Sequence, residues 1–187
     1  MRLKRHVLAL ALAGITAPAW ATNGYFSHGY GMKAKGMAGA STATASDTLG
    51  GANNPASMVW VGNRMDLGAD VFSPRREFSS TAGVAIDSED KYFLIPEFGY
   101  NRMLKPNLSL GVSVYGNGGM NTDYPNGASY LLGTGDLGVD LMQLMIAPTL
   151  AYKINEQHSV GVAPVIAAQR FAAQGLQGFG VNNPGYD

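Results

Sequence analysis

Leu108-Ser-Leu-Gly-Val-Ser-Val114 decides the fold. In an extended chain Leu108, Leu110, Val112 and Val114 fall on one side and Ser109, Gly111 and Ser113 on the other, because successive strand side chains point to opposite faces. Four aliphatics backed by two hydroxyls and a glycine suit lipid on one side and a polar lumen on the other. The same period recurs outward from this stretch. Lys91 to Met103 places Tyr92, Leu94, Pro96, Phe98 and Tyr100 against Glu97, Gly99 and Asn101, and the strand beginning at Asn63 places Met65, Leu67, Ala69 and Val71 against Asp66, Gly68 and Asp70. Downstream, Asp140 to Lys153 alternates Met142, Leu144, Ile146, Pro148, Leu150 and Tyr152 with smaller or polar residues, and Ser159 to Phe171 carries Val160, Val162, Pro164 and Ile166 on one face.

The connections between these strands alternate in length. Leu104 to Asn107 and Ile154 to His158 are tight turns, whereas Ser73 to Asp90, Gly116 to Gly138 and the stretch after Phe171 are long, polar and Gly-rich. Short turns at one end and long loops at the other are the asymmetry of outer-membrane barrels. A secreted β-sandwich shares the alternation but usually lacks that asymmetry. The expected fold is therefore all-β, a transmembrane antiparallel β-barrel. Five strands cannot close, and an open edge in lipid leaves backbone groups unpaired. The sequence is accordingly expected to be the N-terminal part of a longer protein.

Residues 1–21 read as a cleavable signal peptide, with Arg2, Lys4 and Arg5 before the apolar run Val7 to Ile15 and Ala19-Trp20-Ala21 as cleavage site. Removing them leaves ten basic residues against 13 acidic ones, a net charge of −3. No basic tract remains for phosphates, so nucleic acid is not an expected partner. There is no cysteine, so stability has to come from hydrogen bonding and packing.

Residues 22–62 differ from the rest. Thr22 to Trp60 is nearly all Gly, Ala, Ser and Thr, too small-sided to form a core alone. It needs a container, although Tyr25, Phe26, Met58 and Trp60 supply anchors; a disordered linker is the alternative. Within it Asn54-Pro55-Ala56 is a turn signal, because Pro55 fixes φ and biases Asn54 away from helix.

Asn23-Gly24-Tyr25-Phe26-Ser27-His28-Gly29, Lys35-Gly36-Met37-Ala38-Gly39-Ala40 and Asn54-Pro55-Ala56 resemble the start of the FadL family of outer-membrane transporters of long-chain fatty acids and other hydrophobic compounds. Pro96 to Tyr100, Leu108 to Gly111, Thr122-Asp123-Tyr124-Pro125 and Ala151 to Asn155 extend the likeness over the mature chain. The resemblance implies a 14-stranded barrel in the full-length protein, with residues 22–62 as a hatch inside it and 63–187 as the first five strands. It further implies an interior apolar pocket and sideways release through a gap at a kink in the third strand. Gly116, Gly118 and Gly119 are where that kink is expected; a Gly-rich loop start is the equal alternative. Asn54, Pro55 and Ala56 are the expected fixed point of the hatch.

Other chemistry is poorly supported. Gly133 to Gly138 matches G-x-G-x-x-G, but a strand pattern follows where a dinucleotide site needs a helix. His28 and His158 have no metal-ligand neighbours, so neither a metal nor a cofactor is expected. No nucleophile elbow marks a lipid hydrolase. Arg75-Arg76 and Ser88-Glu89-Asp90 read as solvated loop charges, with divalent cations or lipopolysaccharide phosphates as alternative partners. The expected function is passive, non-enzymatic transport of long-chain fatty acid or another hydrophobic small molecule, by a monomer among outer-membrane lipid and lipopolysaccharide. A surface adhesin or structural barrel is the alternative.

Overall fold

The computed structural model describes residues 26–44, 46–81 and 83–179. The signal peptide reading, Asn23 to Tyr25 and the end of the last loop lie outside the described residues.

Strands β1 (Arg64–Phe72), β4 (Phe93–Lys105), β5 (Leu108–Tyr124), β6 (Leu137–Lys153), β7 (Ser159–Val162) and β8 (Ile166–Gln174) form one six-stranded sheet. The order is β1-β4-β5-β6-β7, with β8 also on β6, and every pairing is antiparallel. It is a stretch of barrel wall that does not close on itself among the described residues. β2 (Glu77–Ser79) and β3 (Ala85–Asp87) make a separate hairpin.

The sheet is polar inside and apolar outside. Asn101, Ser109, Ser113 and Thr149 are buried, while the outward Leu67 and Leu94 are 75% and 71% exposed. That inverts a soluble core and matches a wall whose outer solvent is lipid. The inner face is covered by the small-residue segment, which forms α1 (Met32–Gly36), α2 (Gly50–Asn53) and a 3₁₀ helix, Pro55–Trp60. Leu49 packs with Tyr115 and Ala147, and Met58 with Val59 and Ala151.

Three expectations need correction. The polar stretch Ser73 to Asp90 contains the β2–β3 hairpin, in which Phe78 opposes Ile86 and stacks near Tyr124 and Tyr130, ring centroids 6.0 and 5.4 Å apart. One large apolar residue per short strand was too little pattern to read. The long connection drawn from Gly116 to Gly138 shrinks to 125–136, because β5 and β6 stay paired up to Tyr124 opposite Leu137. There the backbone ladder persists after the side chains stop alternating. Finally, the fifth strand is broken at 163–165 into β7 and β8. Leu150 faces Val162 before the break and Ile146 faces Ile166 after it, an unchanged register that sets Pro164 opposite Pro148. Neither proline has an N–H to give, so the ladder lapses there.

Candidate functional site

β4 and β5 part company halfway along. Their ladder runs from Lys105 opposite Leu108 only to Phe98 opposite Val114. Beyond it β4 remains on β1 as far as Phe93 opposite Phe72, and β5 remains on β6 as far as Tyr124 opposite Leu137. Local chemistry accounts for the divergence. The β1–β4 ladder passes uninterrupted through Ala69 opposite Pro96, which leaves the proline's missing N–H on the edge that would meet β5. On β5 the register shifts between Gly116 and Gly118, making Asn117 an extra bulged residue. A Cβ on Gly116 would sit 2.7 Å from Ile95 Cγ2, so any larger residue there must push Ile95 aside.

The opening leads into a cavity of about 950 Å³. Its lining includes Leu94 and Leu144 from the outward positions and Ile95 and Gln143 from the inward ones. The cavity therefore passes through the wall. On its inner side Phe26 makes a backbone bridge to Gly118, occupying part of the β5 edge that β4 has left. Tyr30 lies beside it, with its ring 4.1 Å from that of Tyr115 and its hydroxyl donating to Asn117 Oδ1. Burial, with Tyr115 adding, pushes the Tyr30 phenol above its ordinary range and keeps it a neutral donor.

The small-residue segment is tied to the wall by polar contacts that recur along it. Lys35 of α1 pairs with both Asp70 of β1 and Glu97 of β4. The Glu97 side chain is fully buried and its Oε2 has no partner among the described residues, so its charge depends on Lys35. Farther along, Thr48 donates to Asp66 Oδ2 from its N (3.0 Å) and its Oγ1 (2.9 Å) and accepts from Ser113 Oγ at 2.8 Å. Asn101 Nδ2 donates to the carbonyls of Met58 and Gly62 at 2.9 and 2.8 Å.

Asn54, Pro55 and Ala56 stand elsewhere. Asn54 caps the 3₁₀ helix, its Oδ1 accepting from Ala56 N at 3.1 Å while its Nδ2 donates to Thr42 O at 2.8 Å, and Pro55 takes the first helical position. Ser159 Oγ donates to Ala56 O at 2.8 Å, and Trp60 Nε1 donates to Ser159 Oγ at 3.0 Å. The motif is thereby fastened beside the short turn between β6 and β7. Gly161, which contacts Pro55 and Ala56, faces Ala151, which faces Ser109. From Ser109 to Gly116 is seven residues, roughly 23 Å along the strand. The structure thus brings Gly116, Gly118 and Gly119 together at the opening and keeps Asn54-Pro55-Ala56 apart from them. Asn54→Ala should cost about 1 kcal/mol through the lost cap, read as a lower urea midpoint of the full-length protein.

The remaining candidates separate. His28 lines the cavity, whereas His158 lies in the short turn with Nδ1 3.1 Å from Asn155 Oδ1. Gly133 to Gly138 leads into strand β6, not a helix. Among the described residues no group of three His, Cys, Asp or Glu is placed to hold a metal ion. Arg76 lies at the cavity, donating to Asn121 O with its guanidinium 5.7 Å from the Phe93 ring centroid. Ser88 is buried, its Oγ accepting from Asp123 N at 3.0 Å.

A family model described as "Outer membrane protein transport protein (OMPP1/FadL/TodX)" matches residues 12–182. The chain belongs to this family. Among solved structures, the P. putida toluene transporter TodX is similar, at 20% identity and a TM-score of 0.70 over 79% of this chain. At that identity the likeness shows the fold, an antiparallel barrel. The chain spans 37% of the length of that transporter. No curated protein matches.

In this family member the sequence did not single out Lys35, Asp70, Glu97 or Pro96 as site residues, and it marked Arg76 only as a loop charge with lipopolysaccharide phosphate as an alternative partner. One signal was present: Glu97 is a lone carboxylate at an inward position of a small-residue face. Its partner 62 positions upstream was not.

Proposed function

We propose that this chain supplies the hatch and the lateral opening of a passive outer-membrane channel for hydrophobic compounds, long-chain fatty acids among them. The observation that carries this reading is the cavity passing through the wall between β4 and β5 at the Gly116–Gly118 bulge. An apolar solute gains about 0.8 kcal/mol per CH₂ on leaving water, so this cavity captures a chain without chemical transformation or an energy source. Release into the membrane follows through the opening, since its outer lip is made by lipid-facing side chains. Residues 22–62 act as the hatch, with Asn54-Pro55-Ala56 fixed at the turn end and Phe26 bridged to Gly118 at the opening. The signal peptide delivers the chain to the outer membrane, where it works as a monomer surrounded by lipid and lipopolysaccharide. That a toluene transporter shares the fold favours hydrophobic cargo.

The test is Gly116→Val in the full-length protein. Its branches would meet Ile95 and narrow the opening, and oleate uptake by cells should fall roughly tenfold or more with surface expression unchanged. Uptake equal to that of the unmodified protein would remove the lateral route, and uptake equal to that of a strain lacking the gene in both cases would remove the transport reading.

A further inference from the structure

We propose that Arg76 is a headgroup subsite of this cavity and selects hydrophobic carboxylates over uncharged analogues; the proposal rests on the transport reading above. The cavity wall is largely apolar, with Phe72, Leu94, Ile95, Leu141 and Leu144 among its lining. An ionised carboxylate enters such a site only where a cation meets it. Among the described residues, two Lys or Arg side chains line the cavity, Lys35 and Arg76. The Lys35 ammonium is already shared by two carboxylates, Asp70 and Glu97. That group carries surplus negative charge and repels an incoming anion.

Arg76 is differently placed. No carboxylate among the described residues pairs with it. The hydrogen bond to Asn121 O uses one N–H of the five a guanidinium offers, and the planar group is suited to gripping a carboxylate at two points. Its position supplies orientation. Phe93 and Asn121 belong to the two parted strands, so Arg76 spans the opening at the end opposite its last closed pair, Phe98 and Val114. From Asn121 to Gly116 is five residues along β5, roughly 17 Å, a span an extended acyl chain covers. A ligand held there by its head lays its tail along the opening, and the negative group around Lys35 disfavours the reverse orientation.

The experiment compares oleate with methyl oleate, which keeps the tail and removes the charge, on the purified full-length protein and its Arg76→Gln and Arg76→Lys variants. The unmodified protein should bind oleate roughly tenfold tighter than the ester. Arg76→Gln should abolish that preference by weakening oleate binding roughly tenfold while ester affinity shifts far less, and Arg76→Lys should retain part of it. A preference that survives Arg76→Gln overturns the proposal, as does a parallel loss of both ligands, which assigns Arg76 a structural role. Failure of the unmodified protein to bind either ligand overturns the transport reading itself.

Discussion

Lys35→Met should loosen the small-residue segment while leaving the wall folded. The substitution keeps most of the side chain's length but strands Glu97, whose side chain is fully buried with one oxygen already unpartnered among the described residues. Breaking a buried ion pair from one side typically costs about 3–5 kcal/mol. The loss falls on the contact between α1 and the wall, because Lys35 joins the segment to β1 and β4 but contributes to no strand ladder. Hydrogen exchange at the amides of 31–60 should accelerate by at least roughly 100-fold, while β5 and β6 amides keep their protection. Adding Glu97→Gln to Lys35→Met should restore much of the protection by removing the orphaned charge. Unchanged exchange in Lys35→Met would show that the ion pairs do not hold the segment down. Glu97 is the first β4 residue past the last closed pair, Phe98 and Val114, so the anchor sits at the lip of the opening.

Gly99→Val should eject the segment at a second point. A Cβ on Gly99 would lie 2.2 Å from Thr48 Oγ1 and 2.9 Å from the Thr48 carbonyl carbon. Thr48 cannot step aside cheaply, since Asp66 and Ser113 hold it through three hydrogen bonds. Overpacking of this kind costs about 1–3 kcal/mol, and the lost hydrogen bonds add about 1 kcal/mol each. The expected result is loss of exchange protection across 47–53 and a lowered thermal midpoint. Gly36→Ala is the control, because nothing lies within 4 Å of the Cβ it adds. Should the two variants melt alike, the close approach of Thr48 to the wall is not what seats the segment.

Both predictions rest on contacts that join residues distant in the chain, and they mark where sequence reading ends. Period-two alternation fixed the barrel wall, its two faces and its tight turns, since each is a property of neighbouring residues along one strand. Asn54-Pro55-Ala56 was legible as a turn for the same reason: Pro55 and the Asn54 cap act within three residues. Gly116, Gly118 and Gly119 were expected at a kink with a gap beside it only through the resemblance to the FadL family, because alternation assigns a residue to a face without saying which neighbour the strand pairs with. Only the tertiary structure shows β4 and β5 separating beyond Phe98 and Val114. It also decides that Pro164 meets Pro148, that Ser159 reaches back 103 positions to Ala56, and that Lys35 meets Asp70 and Glu97. A buried charge or an absent backbone donor is costly only in relation to what stands opposite it, and register and packing, not local sequence, supply that partner.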